Sequence, residues 1–478
     1  MRLTMYLLPR SRWLALAVLV ATAGGCAVGP TYEQPALATP AAYKEVSGWV
    51  RATPADALDR GTWWTLFDDA GLNALAGSVE VSNQNIAAAA AAYAQARALV
   101  REQRAGLFPV VSLDGSGRRA GGESAGAGNS AGGSGNNSAG NTYQASIGAS
   151  WEPDVWGRLG RTVDSASAGA QASAADLASA LLAAQGELAI NYFSLRQTDA
   201  QSALLQSTIA AYQRSLEIAQ NRYQAGVAPK TDLLQAQTQL ANAQAELVGL
   251  ERQRTQLEHA IAVLVGQAPG NFTLVIAPWA ATLPQVPIGV PSTLLQRRPD
   301  IAAAERRVAA ANEQIGIAQS ALYPNLNLSA SYGVGATRVS DLFSASTSVW
   351  SLGLSAAQVL FNAGATRARI DEAQAAQQQA AARYRQTVLV AFQGVEDQLA
   401  ATRVLMQQQP LRELASRAAD ETEVQTLNRY RAGQVAYTEV VTAQASAFSA
   451  RRALVQLASD RQVTAVALIQ ALGGGWGN

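Results

Sequence analysis

Residues 221–237 read NRYQAGVAPKTDLLQAQ, and residues 428–444 read NRYRAGQVAYTEVVTAQ. The second copy starts 207 positions after the first. Self-similarity at a fixed distance is followed outward before anything else. After the first copy, Leu233, Leu240, Leu247 and Ile261 share one heptad position, and Leu250, Leu257 and Leu264 share the other. Arg254 interrupts the first series. After the second copy, Val440, Ala447, Leu454 and Leu468 form the matching series, and Arg461 interrupts it at the same place. A repeat that keeps both its core and its exception marks a coiled-coil seam of Leu and small residues. Each quoted phrase then reads as a tight turn between two helices. Gly226 and Gly433 stop the helix before the turn, where a helix end prefers glycine. Thr231 and Thr438 are the expected N-caps, with Asp232 and Glu439 in the following first turn, where a carboxylate suits the helix dipole.

Upstream of each turn lies a long helical pattern. Gly160 to about Gln224 has no proline, and Ala365 to Arg431 has only Pro410, a candidate kink or break. Each is about 65 residues, or roughly 95–100 Å of helix at 1.5 Å per residue. Such lengths predict a rod or tube rather than a compact globule. A further helix is expected over roughly Gly71–Ala105 before the first half, and another from Pro299 before the second.

Composition agrees. Of 478 residues 49% are apolar but only 6% aromatic, which suits closely packed helices better than a bulky core. The net charge of +1 gives no reason to expect nucleic acid. One His and one Cys exclude a multi-ligand Cys/His metal cluster and an intrachain disulfide. His259 stands alone on a coiled-coil face, so no catalytic triad can form around it, and no enzyme or metal site is expected. The pair Asp68–Asp69 reads as a helix opening rather than as an acid pair. The glycine-rich stretch near residue 120 lacks the Lys-Ser/Thr ending of a phosphate loop.

Four short stretches alternate between apolar and polar residues: 109–117, 141–151, 325–334 and 349–356. In the second, Tyr143, Ala145, Ile147, Ala149 and Trp151 face one way, and Thr142, Gln144, Ser146, Gly148 and Ser150 the other. Each has the length of a membrane β-strand with an apolar outer and a polar inner face. Phe108, Tyr143, Trp151, Tyr323, Trp350 and Phe361 lie near strand ends, as an interfacial girdle requires. Four strands cannot close a barrel, and an open edge in lipid is forbidden, so several chains must share one. Three chains give twelve strands. The Gly/Ser/Asn-rich link between the first two strands suits an extracellular loop.

The amino terminus carries Arg2, Arg10 and Arg12, then WLALAVLVA, then TAGGC. Charged, apolar and small segments in that order make a secretory signal. Ala23, Gly24 and Gly25 before Cys26 are similar to a bacterial lipobox, with Ala23 where Leu is usual. Lipidation of Cys26 is expected, with diacylglycerol and an acyl chain as the only attached groups; an ordinary cleavage site is the other reading. Ala27, rather than Asp, after the cysteine favours the outer membrane.

Three stretches carry a resemblance: LLQRRPDIAAAERRVAAANEQIGIAQSALYPNLNL from Leu294, SWEPDVWGRLGR from Ser150, and the repeated NRY-x-AG phrase. With them the mature chain resembles the TolC-type outer-membrane efflux proteins, in their lipidated NodT/OprM-like branch. Pro153 stands where that family usually has Leu. The resemblance implies a mainly α protein with membrane β-strands. It implies a homotrimer with a 12-stranded outer-membrane barrel, four strands per chain, continuous with a periplasmic coiled-coil tunnel. The chain then divides into a signal (1–25), an anchor and equatorial segment (26–70), a first repeat (71–265), an equatorial linker (266–298), a second repeat (299–472) and a tail (473–478).

The resemblance also implies a role: the exit duct of a tripartite pump for small molecules. Its partners are a periplasmic adaptor (membrane fusion protein), an inner-membrane transporter of the RND type and outer-membrane lipid. A duct for type I protein secretion and a lipid-anchored scaffold without a pore are the alternatives. It places the two turns at the closed periplasmic end. Asp232 matches the position that accepts bonds from the second hairpin, Tyr430 matches a tyrosine of that hairpin, and Glu439 matches a ring of acidic residues. Thr442 falls where a second acidic ring can occur, and Val435 where some members have a bridging Arg, so both of those features are expected to be missing. Tyr223 is expected to pack rather than to gate. Three copies of Glu439 around one axis would attract cations.

Overall fold

A computed structural model describes residues 28–36, 44, 62–120, 140–279, 281–284, 298–342, 344 and 348–474. The signal, Cys26, the glycine-rich link, most of the linker after residue 284 and the tail from residue 475 lie outside these residues. A 3₁₀ turn at Trp63–Phe67 precedes α1 (Ala70–Ser82), α2 (Gln84–Ala105), β1 (Val110–Ala120) and β2 (Gly140–Trp151). Then come α3 (Arg158–Gln224) and α4 (Lys230–Leu264). The second half is α5 (Pro299–Ser320), β3 (Asn325–Ala336), β4 (Ser348–Ala357), α6 (Ala365–Arg431) and α7 (Tyr437–Ala471). Helices α3 and α6 have 67 residues each, and α4 and α7 have 35 each. Pro410 does not break α6, which runs through it. The proline costs one rung, the bond its own N–H would give to Met406, and the neighbouring turns hold the helix across that gap.

The chain forms two compact units, each drawn from both halves of the repeat. The first contains the strands. They form one antiparallel sheet in the order β1-β2-β3-β4. Directly opposed residues share a face, so the register settles what each face carries. Leu113, Ile147, Tyr332 and Trp350 form one continuous row, and Val111, Ala149, Ala330 and Leu352 the next. The opposite face has the row Ser112, Gly148, Ser331 and Ser351. There the Ser331 and Ser351 hydroxyls meet at 2.8 Å. The alternation read in single strands is thus in phase across all four. The apolar rows are uncovered: Leu113 is 81% exposed and Trp350 76%.

At the end of the sheet where β2 stops and β3 starts, Trp156 stacks on Tyr323 at 4.9 Å and donates to Pro324 O at 2.7 Å. The amino-terminal segment is fastened in the same unit. Val28 N–H donates to Trp156 O, and Arg161 donates to Glu313 at 2.6 Å and to Pro30 O. The segment passes so close to α5 that a Cβ on Gly29, at φ +120°, would lie 2.6 Å from Gly316 Cα.

The second unit has the main core. Trp63, Phe67, Leu72, Val79, Leu188, Phe193, Ile261, Leu264, Val466 and Ile469 are buried together in it. The single helix expected over 71–105 is two helices, broken at Asn83. That residue is extended (φ −69°, ψ 123°) and 4% exposed. Its Oδ1 accepts from the N–H groups of Asn85 and Ile86, and its Nδ2 donates to Leu264 O at 2.8 Å. A side chain that caps one helix start and one helix end fixes the break without proline or glycine.

The heptad exception at Arg254 has a physical cause. Asp199 on α3 accepts from Arg254 at 2.8 Å and from Arg196 at 3.1 Å. The two arginines also donate to the backbone oxygens of Leu274 and Val275, while Glu258 accepts from Arg254 and from Leu274 N–H. Arg254 therefore ties the irregular segment after α4 to two helices. At the matching places in the second half stand Met406 and Ala465, so Arg461 has no such carboxylates and donates to Gln409 instead.

Candidate functional site: the paired helical turns

The two turns have one backbone design. Gly226 and Gly433 lie at φ +75° and +73°, the left-handed region where only glycine is unstrained. Gly226 N–H bonds to Tyr223 O and Val227 N–H to Arg222 O; Gly433 N–H bonds to Tyr430 O and Gln434 N–H to Arg429 O. This pair of bonds is the Schellman closure of a helix. The expected N-caps require correction. The caps are Pro229 and Ala436, both extended and neither with a side-chain bond. The helices begin two residues earlier than the hydroxyls suggested, so Thr231 and Thr438 lie inside the first turn. Pro229 supplies the reason in α4: its ring fixes φ at −73°, ready for an extended residue before the helix. Asp232 and Glu439 are in the first turn of their helices as expected.

The side chains make an unequal pairing. Tyr430 is 2% exposed, and its hydroxyl donates to Asp232 Oδ2 at 3.3 Å. The Arg222 guanidinium lies 4.9 Å from the centre of the Tyr430 ring and donates to Arg431 O, the last carbonyl of α6. Tyr437, 1% exposed, meets Tyr430 edge-on at 5.2 Å. Ala219, Ala236 and Val440 close the cluster. Farther along the hairpins, Gln444 donates to Ser215, and Phe448 packs against Leu205, Tyr212 and Ala243. Burial pushes the Tyr430 hydroxyl up from its ordinary pKa, and the Asp232 charge pushes it the same way against Arg222. Burial also raises Tyr437, next to Tyr430. Both hydroxyls therefore stay protonated at physiological pH, and Tyr430 donates as a neutral group.

Of the residues singled out in the sequence, Asp232 and Tyr430 come together. Glu439 does not join them and is exposed. Thr442 donates to Thr438 O on its own helix. It also lines an open groove of about 650 Å³ with Arg412, Ala415, Ser446 and Ala450. Tyr223, 41% exposed, packs less than expected. Sequence reasoning missed Arg222 and Tyr437. Arg222 stands inside the repeated phrase, but so does Arg429, and nothing local tells which of the two is engaged. Among the described residues no cluster of His, Cys, Asp or Glu could hold a metal, and no helix is long and apolar enough to cross a membrane.

Comparison with known proteins places this geometry. The family model for outer membrane efflux proteins matches residues 75–267 and 290–474. The chain is 31% identical to the probable efflux pump outer membrane protein TtgC of Pseudomonas putida, over 97% of this chain and 95% of that protein. It is 30% identical to the cation efflux system protein CusC of Escherichia coli, over 95% of this chain and 96% of that one. The solved outer-membrane channel OprN superimposes with a TM-score of 0.87 at 30% identity, covering 94% of this chain and all of that one. A two-part family match that follows the internal repeat, a four-stranded sheet and paired helical turns agree on one conclusion: the chain belongs to the outer membrane efflux protein family and has its TolC-like channel fold.

Proposed function

We propose that three copies of this chain form the exit duct of a tripartite pump in the outer membrane of a Gram-negative bacterium. The observation that carries this reading is the sheet. One face is a continuous apolar surface, the other is mostly polar and rich in Ser and Gly, and among the described residues both edges are unpaired. A wall of that kind faces lipid on one side and water on the other, and it needs neighbours to close. An adaptor and an inner-membrane transporter of the RND type complete the path, consistent with relatives named as efflux-pump components. Relatives named for antibiotic, toluene and cation efflux favour small solutes over protein cargo.

The paired turns are the gate. Tyr430 and Arg222 fasten the second hairpin to the first through Asp232 and the end of α6, and releasing them frees the hairpin to swing. Glu439 adds three exposed carboxylates at the tip and biases entry toward cations. Cys26 carries the lipid; the bond from Val28 to Trp156 supports this, because it fastens the chain two residues later beside the end of the sheet. The duct and gate are tested together by single-channel conductance in a planar bilayer. Small steps in the wild type that grow in Asp232→Ala support both. A folded, inserted protein without conductance in either form rejects the duct. Loss of palmitate labelling in Cys26→Ser tests the anchor, and an unlabelled wild type rejects it.

A further inference from the structure

The register that sorts the two faces of the sheet also sorts three arginines at the end farther in sequence from the helices. Strand β1 ends in Arg118, Arg119 and Ala120. Arg119 lies opposite Asn141, and one row before them Gly117, Tyr143 and Ala336 continue the apolar face. Residues two apart on a strand share a face. Arg119 and Asn141 therefore occupy the next row of the apolar face, and Arg118 belongs to the polar one. Arg338 follows Ala336 by two positions and is still extended (φ −129°, ψ 144°), where β3 passes into its connection to β4. The three arginines and Asn141 are exposed. Among the described residues, the side chains of these arginines have no hydrogen bond or ion pair. The one acid described at this end, Asp341, accepts from Ser340.

The height of this row decides what it meets. Trp151 is on the same face of β2, ten residues after Asn141, at the end that leads to α3. At about 3.4 Å per residue and a tilt of about 45°, the two rows are roughly 24 Å apart along the membrane normal. The apolar band of an outer-membrane barrel is about 25 Å tall. In the proposed duct, Trp151 marks the periplasmic border of that band, and Arg119 and Arg338 mark the outer one, where hydrocarbon gives way to headgroups.

We propose that Arg119 and Arg338, with Asn141 between them, bind the phosphate groups of lipopolysaccharide in the outer leaflet. This rests on the reading of the sheet as the lipid-facing wall of a duct. The two arginines are two strand spacings apart, about 10 Å at the backbone, so their long side chains can converge on one phosphorylated sugar. A guanidinium offers paired N–H donors that match phosphate oxygens, and the Asn141 amide adds a neutral donor. The other border of the sheet is built differently. There Arg158 is already held by Glu152 at 2.7 Å, so the free cations stand only at the border that faces the phosphorylated glycolipid. A ring of three copies has three such sites.

Native mass spectrometry of the full-length protein in detergent, titrated with lipid A carrying both phosphates, tests this. All three arginines are exposed, so their replacement leaves the fold intact. Arg119→Gln combined with Arg338→Gln should lower the bound lipid about tenfold or more. Arg118→Gln, on the other face, should bind as the wild type does. Lipid A stripped of its phosphates should bind the wild type about as weakly as intact lipid A binds the double variant, and phosphatidylglycerol should not displace the intact lipid. Equal binding by the wild type and the double variant, an equal loss in Arg118→Gln, or equal binding of the stripped lipid overturns the site. Displacement by phosphatidylglycerol overturns lipopolysaccharide as its occupant. Planar-bilayer conductance separates the two ways of failing. A double variant that conducts and still binds lipid A as the wild type does rejects the site and keeps the duct, whereas a folded, inserted wild type without conductance rejects both.

Discussion

Tyr192 donates its hydroxyl to Asp69 at 2.7 Å, and the same carboxylate oxygen accepts Leu72 N–H at 3.0 Å to cap α1. Burial raises the Tyr192 pKa to about 12, with Arg196 pulling it down and Asp69 pushing it up. The folded protein thus keeps this proton longer than the unfolded chain, whose tyrosines titrate near 10. The associated stability is complete below pH 10 and is lost as pH rises from 10 through about 12. Tyr212, Tyr430 and Tyr437 shift in the same direction. Denaturant unfolding followed across this range should show a steep loss. Tyr192→Phe should flatten the slope and cost about 1 kcal/mol at neutral pH. An unchanged slope would remove Tyr192 as its source.

Asp199 holds two arginines, and its side chain is only 3% exposed. Asp199→Ala leaves Arg196 without a carboxylate and Arg254 with Glu258 alone, at a cost of about 3–5 kcal/mol. The backbone at Leu274 and Val275 should loosen with it. Faster hydrogen exchange in that segment, beyond any global change, is the signature to measure. A loss below 1 kcal/mol would mean that the network adds nothing.

Asn83 makes the joint between α1 and α2 with one side chain. Asn83→Asp keeps the acceptor for the Asn85 and Ile86 amides but loses the donor to Leu264, whereas Asn83→Ala loses both. Thermal unfolding should rank wild type above Asp above Ala, with about 1–3 kcal/mol between the ends. The reverse order of the two variants would place the value of the residue in its shape alone.

At the proposed gate, Tyr430→Phe removes the bond to Asp232 and keeps the ring under Arg222. A loss of about 1 kcal/mol shifts the closed-to-open ratio about fivefold. Arg222→Leu removes both of that residue's contacts and should shift it further. Single-channel open probability reads both. Equal effects from the two variants would make the cation over the ring irrelevant.

Glu439→Gln should reduce cation preference without changing step size in symmetric high salt, because screening shortens the reach of the charge to a few ångströms there. Reversal potentials under a salt gradient decide it. An unchanged reversal potential would place the selective charge elsewhere.

Much of this molecule was legible because periodicity is a local property. Heptads, alternation and the glycine turns placed the four long helices, the four strands and both hairpins nearly to the residue. What failed needed a partner distant in sequence. Asn83 reads as an ordinary helical residue until Leu264 O is beside it. Thr231 and Thr438 have the right chemistry for caps, yet the backbone starts each helix before them. Pro410 is a breaker by its own geometry, and the length of α6 overrides it. The choice of Arg222 over Arg429 was the least legible. The two are identical in their neighbours, and only the packing of one hairpin on the other separates them.

The free edges of the sheet bear on the order of events in making the channel. Among the described residues, the outer backbone groups of β1 and β4 have no strand to bond to, and hydrocarbon offers them none. A single copy is therefore barred from inserting and waiting for company in the bilayer. In the proposed duct, copies have to find one another first, at the membrane surface, and enter together. Channel number then rises more steeply than in proportion to the supply of chains, so a modest fall in synthesis silences the duct sooner than it depletes the protein.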